Sequence, residues 1–139
     1  DLHSFPTRRS SDLQLDFNAC VNAPGQYAAV VALNHPELTK ELRDVFAGRR
    51  KAFLEGLSNI EGIRCNEPEG AFYAFPDISA FRMTSQRFCE RLLLEQRVVC
   101  IPGSAFGECG EGFIRVAYTC GEEKLLEAIE RLRAFCAKI

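Results

Sequence analysis

Residues 98–118 are the part of the sequence whose residue types and spacing could support chemistry. They read VVCIPGSAFGECGEGFIRVAY, a predicted strand, a glycine-rich loop and a second strand in which the charged residue is Arg115. A planar guanidinium held on a strand suits a carboxylate, because two parallel charge-assisted hydrogen bonds fix both the position and the orientation of the anion. The spacing alone, however, favours a simpler interpretation, in which Arg115 is a surface arginine that pairs with a glutamate.

The alternation in residues 113–119 predicts which way Arg115 faces. In an extended strand Ile114, Val116 and Tyr118 share one face, and Arg115 lies on the other. If the apolar face packs in the core, the guanidinium faces a cleft or solvent. The loop glycines at positions 103, 107, 110 and 112 could let backbone approach a ligand closely, although such loops more often serve only as turns.

A second notable segment, residues 69–76, reads EGAFYAFP. Aromatic side chains fall on both faces of the predicted strand, with Tyr73 and Phe75 on one face and Phe72 on the other. This pattern indicates burial on both sides, or one side that borders a pocket. Core packing is the favoured interpretation of the two.

Other catalytic or metal-binding sets cannot be assembled from this sequence. It has two histidines, His3 and His35, of which His3 lies in the polar segment at residues 1–13, and they complete no Ser/His/Asp or Cys/His arrangement. The seven cysteines form no C-x-x-C pair and lie near no histidine at ligand spacing. We therefore expect no metal site and reduced cysteines that are mostly small buried hydrophobic residues.

The composition excludes several kinds of partner. A formal net charge of −2 provides no basic field for nucleic acid or for an anionic membrane surface. No apolar run approaches the roughly 20 residues that a membrane helix requires, and no signal peptide opens the chain. We expect a cytoplasmic protein.

The elements that must position Arg115 follow from hydrophobic periodicity. An Ala-rich run at residues 25–33 predicts a short, well-buried helix, and apolar residues at steps of three and four over residues 37–57 predict a long amphipathic helix. Turn residues separate the apolar runs that follow. Strands are predicted at residues 62–66, 70–76, 98–101 and 113–119, and further helices at 84–96 and 122–137. The fold class is α/β or α+β, a small sheet of about four strands covered by helices.

Residues 1–13, DLHSFPTRRSSDL, look foreign to this fold. They are polar, have no helical or strand period, and resemble translated sequencing-adapter sequence. We expect them to be non-native and to have no part in the fold, with the true sequence beginning near Gln14. A disordered natural tail is the alternative.

Three motifs in register resemble a known family. G-A-F-Y at residues 70–73, P-G-x-x-F-G at residues 102–107 and the lone Arg115 on the next strand are similar to the C-terminal region of class I/II aminotransferases of the aspartate aminotransferase type, which are pyridoxal-phosphate-dependent enzymes of fold type I. CVNAPGQYAAVVAL at residues 20–33 resembles the family's stretch before its long interdomain helix. The resemblance covers the chain from about Leu15 to its end.

This resemblance implies a fold with a large domain that binds pyridoxal phosphate and a small domain that closes over an amino acid or 2-oxo acid. Residues 37–139 would be the small domain, and residues 14–36 a remnant of the large domain and interface segment. Arg115 would bind the α-carboxylate of the substrate, and Phe106 and Gly107 would line the entrance. Asn22 would lie near the interface of the homodimer, close to the cofactor.

The chain departs from the family pattern in one respect. It has no S-x-x-K-type segment with the cofactor-binding lysine, because Lys40, Lys51, Lys124 and Lys138 all lie in predicted helix contexts of the wrong kind. We therefore assign no catalytic residue and expect the isolated chain not to transaminate. Two alternatives stay open: a stand-alone regulatory module that binds amino acids or other carboxylates without chemistry, and a structural domain that completes a partner's core.

Overall fold

The computed structural model describes residues 22–139 of the chain, which divides into two compact units, Asp1–Glu41 and Leu42–Ile139. The first unit contains helix α1, Ala23–Asn34. The Asn22 side chain caps this helix and accepts a 2.9 Å hydrogen bond from the Gly25 amide. Alanine-rich composition and the cap both favour the helix.

The expectation that α1 is well buried is wrong for the described part of the chain. None of its residues is buried, and Tyr27 is 77% exposed. The helix is apolar around its whole circumference, so propensity and the cap rather than a packed face define it.

Helix α2, Pro36–Ser58, is the predicted long amphipathic helix. Pro36 occupies its first turn, where the missing amide hydrogen costs nothing. The buried residues Phe53 and Leu57 lie in its C-terminal half, whereas Leu38 and Leu42 are exposed. The apolar stripe that the sequence predicted along the full helix is therefore covered only towards its end.

The sheet has three short strands: β1 at Tyr73–Ala74, β2 at Ile101–Pro102 and β3 at Ile114–Ala117. β3 is central and antiparallel to both neighbours, in the order β1-β3-β2. The fourth strand predicted at residues 62–66 is absent from the described chain. The described residues of this segment form a single antiparallel bridge, between Arg64 and Asp77, and Gly62 before it has a positive φ of 86°.

Two further helices cover one face of this sheet. Helix α3 is Ser85–Gln96, capped by the Thr84 hydroxyl, which accepts from the Arg87 amide, and helix α4 is Glu122–Cys136. Both confirm the predicted helices closely. One core joins α2, α3, α4 and the inner sheet face, and its fully buried members include Leu57, Phe88, Leu92, Ile114, Tyr118, Leu125, Ile129 and Phe135.

The predicted mixed class is thus confirmed as a small α+β fold, with three strands where about four were expected. Within residues 22–139, no helix is both long enough and apolar enough to cross a membrane.

Candidate functional site

Arg115 lies on the sheet face opposite the core, as the strand alternation predicted. Its neighbours Ile114 and Tyr118 are fully buried, whereas Arg115 is half-buried on β3. Ile101 of β2 pairs with Arg115 across the sheet. β1 and β2 flank β3 and hold its backbone on both sides, while the Arg115 side chain projects away from the helices.

Two aromatic rings contact the guanidinium. The Cζ atom of Arg115 lies 4.5 Å from the ring centroid of Tyr73 and 4.5 Å from that of Phe106. These cation–π contacts attract the charge but leave the N–H donors without strong acceptors. Among residues 22–139, no carboxylate pairs with Arg115, so the plainer interpretation of a surface arginine paired with a glutamate has no support there.

The aromatic residues around Arg115 form a partly open surface, which we call the aromatic face: Tyr73, Phe75, Phe106 and Phe113. Phe75 stacks on Phe113 at 5.4 Å and meets Phe106 edge-on at 6.0 Å. Tyr73, Phe75 and Phe106 are 36%, 38% and 51% exposed.

The interpretation of residues 69–76 as core packing is therefore wrong for Tyr73 and Phe75. The small residue Ala74 and the ring of Pro76 face the core instead, and both are buried. The reason is spatial, because Ala74 pairs with Val116 on the face that the helices cover. The rings of Tyr73 and Phe75 are left on the uncovered side, whereas the Phe72 ring lies 6.0 Å from that of Phe46 on α2.

The glycine-rich loop carries Phe106 into the site through two single-turn 3-10 helices, Gly103–Phe106 and Glu108–Gly110. Gly103 donates a 2.9 Å hydrogen bond to the Phe113 carbonyl, and its Cα packs so closely on the Gly110 carbonyl that a Cβ would collide with it. Gly107 follows Phe106 with φ +115°, a conformation that favours glycine. These glycines serve the folding of the loop itself.

A tether between α3 and the loop was not foreseen from the sequence. Glu111 accepts a 2.7 Å bond from the Ser85 amide and a 2.9 Å bond from the Ser85 hydroxyl, and that hydroxyl lies 3.1 Å from the Ser104 hydroxyl. These hydrogen bonds to the Ser85 backbone and side chain lower the pKa of the Glu111 carboxyl. The partners are distant in sequence, so no local pattern pairs them.

The other predicted site residues lie in different surroundings. Asn22 is exposed and caps α1 in the first unit, and its expected place near a dimer interface stays a prediction. Gly107 is adjacent to Phe106 and so belongs to the loop beside Arg115. In the part of the chain that the structure describes, no group of three or more His, Cys, Asp or Glu side chains could hold a metal ion.

The described residues do not by themselves fit pyridoxal phosphate. Lys40, Lys51 and Lys124 are exposed on helices, and Lys138 is exposed just after α4. An anchor for the cofactor must be held in a fixed position beside the reacting groups, and an exposed lysine on a helix surface is not held in that way. The chemistry that these residues can support is recognition of an anionic group at Arg115.

Comparison of the chain with known proteins identifies its family. The model of the family "Aminotransferase class I and II" matches residues 12–132. The chain is 46% identical to an aspartate aminotransferase from Pyrococcus horikoshii over 110 residues, which are 77% of this chain and 28% of that protein.

Solved structures share the fold as well. An aromatic aminotransferase from Pyrococcus horikoshii superposes with a TM-score of 0.83 at 38% identity, over 91% of this chain and 34% of that one. An alanine aminotransferase from Pyrococcus furiosus superposes with a TM-score of 0.84 at 31% identity, over 96% and 36%. The chain spans about a third of the length of the relatives that it matches. By sequence and by fold, the chain belongs to the class I and II aminotransferase family.

Proposed function

We propose that this chain is the C-terminal part of a pyridoxal-phosphate-dependent aminotransferase that transfers an amino group between an amino acid and a 2-oxo acid. Residues 37–139 would be its small domain, and residues 14–36 a remnant of the large-domain and interface segment. The observation that carries the proposal is the Arg115 guanidinium. It is held on β3 between two aromatic rings and, within residues 22–139, no carboxylate neutralises it.

Arg115 would bind the α-carboxylate that amino acids and 2-oxo acids share. Its five N–H donors can meet both oxygens of a carboxylate at once, which fixes the direction in which the rest of the substrate points. Fixing that direction is what allows one site to present different substrates to the same reacting group. Phe106 and Gly107 would line the entrance to this pocket.

The cofactor would be held mainly by residues outside the described chain. Pyridoxal phosphate supplies the electron sink for the chemistry at the substrate's α-carbon when it is bound. The exposed lysines of this chain do not suit its attachment, so the cofactor-binding lysine would belong to a large domain. We infer that the isolated chain is inactive, and that the whole enzyme is a cytoplasmic homodimer with Asn22 near its interface.

The amino donor is not part of the proposal. The relatives bear names with different substrates, aspartate for one and aromatic amino acids or alanine for the others. Arg115 recognises a group that all of these substrates possess. We therefore propose amino acids and 2-oxo acids as the class of substrate.

The direct test is to extend the reading frame upstream of Gln14 in the source genome and to purify the complete product. We expect a large-domain sequence with a lysine on which the visible absorbance of bound pyridoxal phosphate depends, together with transaminase activity. An upstream region without such a sequence would refute the proposal.

Calorimetry on the chain itself, together with the cofactor test above, distinguishes the alternative of a carboxylate-binding module. In that case the 139-residue chain would bind amino acids in calorimetry, and Arg115→Ala would abolish the heat of binding. The complete product would bind no cofactor.

A further inference from the structure

Two thiols face each other between α3 and the segment that enters β2. The sulfur atoms of Cys89 and Cys100 lie 3.2 Å apart, with the Cys100 thiol donating to Cys89. Cys89 is on α3 and is 8% exposed, and Cys100 is half-buried directly before Ile101. Among residues 22–139, no other two cysteine sulfurs are in hydrogen-bond contact, and the remaining thiols are those of Cys65, Cys109, Cys120 and Cys136.

We propose that Cys89 and Cys100 form a reversible oxidation site, a dithiol that a hydroperoxide converts into a disulfide. A disulfide requires sulfur atoms about 2.0 Å apart, so the pair must close by roughly 1 Å. Both thiols sit at the ends of side chains that rotate about χ1, and no bond to a third group holds them apart. The site is separate from Arg115 and does not depend on the proposed function.

The order of the chemical steps follows from the hydrogen bond. The Cys89 thiolate attacks one peroxide oxygen, the O–O bond breaks, and the products are a sulfenic acid on Cys89 and hydroxide or alkoxide. The Cys100 sulfur then attacks the Cys89 sulfur, its proton leaves with the departing oxygen as water, and the S–S bond forms. Two thiols are oxidised, and one hydroperoxide is reduced to water or an alcohol plus water.

The surroundings of the two sulfurs support this order. The hydrogen bond from Cys100 lowers the pKa of Cys89 against the opposing effect of burial, and the same bond raises the pKa of Cys100. Burial alone raises the pKa of the Cys136 thiol to about 12, which makes that thiol a poor nucleophile. A hydroperoxide is small enough to reach a largely buried sulfur, whereas a bulky reagent is not.

The disulfide would tie α3 to β2. Ile101, the next residue after Cys100, pairs with Arg115 on the central strand. Oxidation therefore joins the helix covalently to the strand beside Arg115. It also removes conformational freedom from the unfolded chain, so the oxidised protein should melt at a higher temperature.

Peptide mapping of the full chain tests the proposal. Hydrogen peroxide treatment of the native chain, followed by unfolding and alkylation in denaturant and trypsin digestion without reductant, should yield the peptide 88–91 linked to the peptide 98–115. Alkylation of Cys89 and Cys100 should be lost together, and dithiothreitol should restore it and lower the melting temperature again. Because peptide 98–115 also contains Cys109, Cys109→Ser is the matched control and should keep the link.

Cys100→Ser should abolish the link and leave a sulfenic acid on Cys89, which dimedone traps when it is added together with denaturant. The same oxidation in urea should give a statistical mixture of cysteine pairs. The proposal is overturned if native protein gives that same mixture, or if Cys89 and Cys100 remain fully open to alkylation after peroxide treatment.

Discussion

The ring of Tyr73 and the guanidinium of Arg115 lie 4.5 Å apart although they come from different strands. Tyr73 pairs with Ala117, which lies two residues beyond Arg115 on the same face of β3. The register of β1 against β3 thus brings the ring to the cation. Phe106 reaches the same guanidinium from the glycine-rich loop. The candidate site therefore depends on whatever fixes this register and this loop.

Tyr118 contributes to the register through its hydroxyl. The buried side chain donates a 3.1 Å hydrogen bond to the carbonyl of Ala71, at the turn that leads into β1. Tyr118→Phe should lower the free energy of unfolding by about 0.5–1.5 kcal/mol, since it leaves that carbonyl without its partner. Urea denaturation measures the change.

Tyr73→Phe is the control for this prediction, because it removes a hydroxyl from a partly exposed ring and leaves the contact with Arg115. We expect a change within about 0.5 kcal/mol. If both variants lost the same free energy of unfolding, the Tyr118 hydrogen bond would make no specific contribution to stability.

The Glu111 tether should make stability depend on pH. Hydrogen bonds from Ser85 lower the folded-state pKa of Glu111, so its contribution is present above the unfolded pKa of about 4.3 and is lost as the pH falls through the folded value. Wild type should exceed Glu111→Gln in free energy of unfolding at neutral pH. The difference should vanish in acid, as followed by denaturation at a series of pH values.

Glu108→Gln provides the comparison for the tether, because Glu108 is exposed in the same loop and, within the described residues, accepts no side-chain hydrogen bond. At neutral pH, Glu108→Gln should lower the free energy of unfolding less than Glu111→Gln does. A Glu111→Gln difference that persisted unchanged in acid would contradict the tether.

Two glycines of α2 should respond in opposite ways to alanine. Gly48 is exposed, and a Cβ there would meet nothing within 4 Å, so Gly48→Ala should stabilise the chain by roughly 0.5–1 kcal/mol through helix propensity. At Gly56 a Cβ would lie 2.6 Å from Ile129 Cδ1 of α4.

Gly56→Ala should therefore destabilise the chain by about 1–3 kcal/mol, because Ile129 is buried and has little room to move. Thermal denaturation of both variants gives the comparison. Stabilisation by both substitutions would mean that α2 and α4 do not pack as the structure shows.

Local patterns predicted the helices and the direction of Arg115. Thr84 caps α3 as expected, and Leu125, Ile129 and Leu132 form the buried stripe of α4. The alternation of Ile114 and Arg115 predicted a buried and an outward side chain, and the structure confirms both. These features depend on residues within a few positions of one another.

Features that depend on distant pairing were missed or misjudged. We interpreted the aromatic side chains of residues 69–76 as core, but the pairing of Ala74 with Val116 places Tyr73 and Phe75 on the open face. Tyr73 as a partner of Arg115 and the Ser85–Glu111 tether also require knowledge of which segments meet. A residue's chemistry can be read from its type, whereas its neighbours across the sheet depend on register.

The most direct test of the proposed role of Arg115 is a chimeric enzyme. The C-terminal segment of the Pyrococcus horikoshii aspartate aminotransferase would be replaced by the matching residues of this chain, and kcat/KM for transamination measured with and without Arg115→Gln. We predict an active chimera in which the substitution lowers kcat/KM by about 100-fold or more. A loss of that size is expected because glutamine cannot make the charged hydrogen bonds that arginine makes to a carboxylate. Arg87 is exposed on α3, so Arg87→Gln should leave kcat/KM unchanged. All variants should keep the visible absorbance of bound cofactor. A chimera that binds cofactor and transaminates equally well with Gln at position 115 would contradict the assignment.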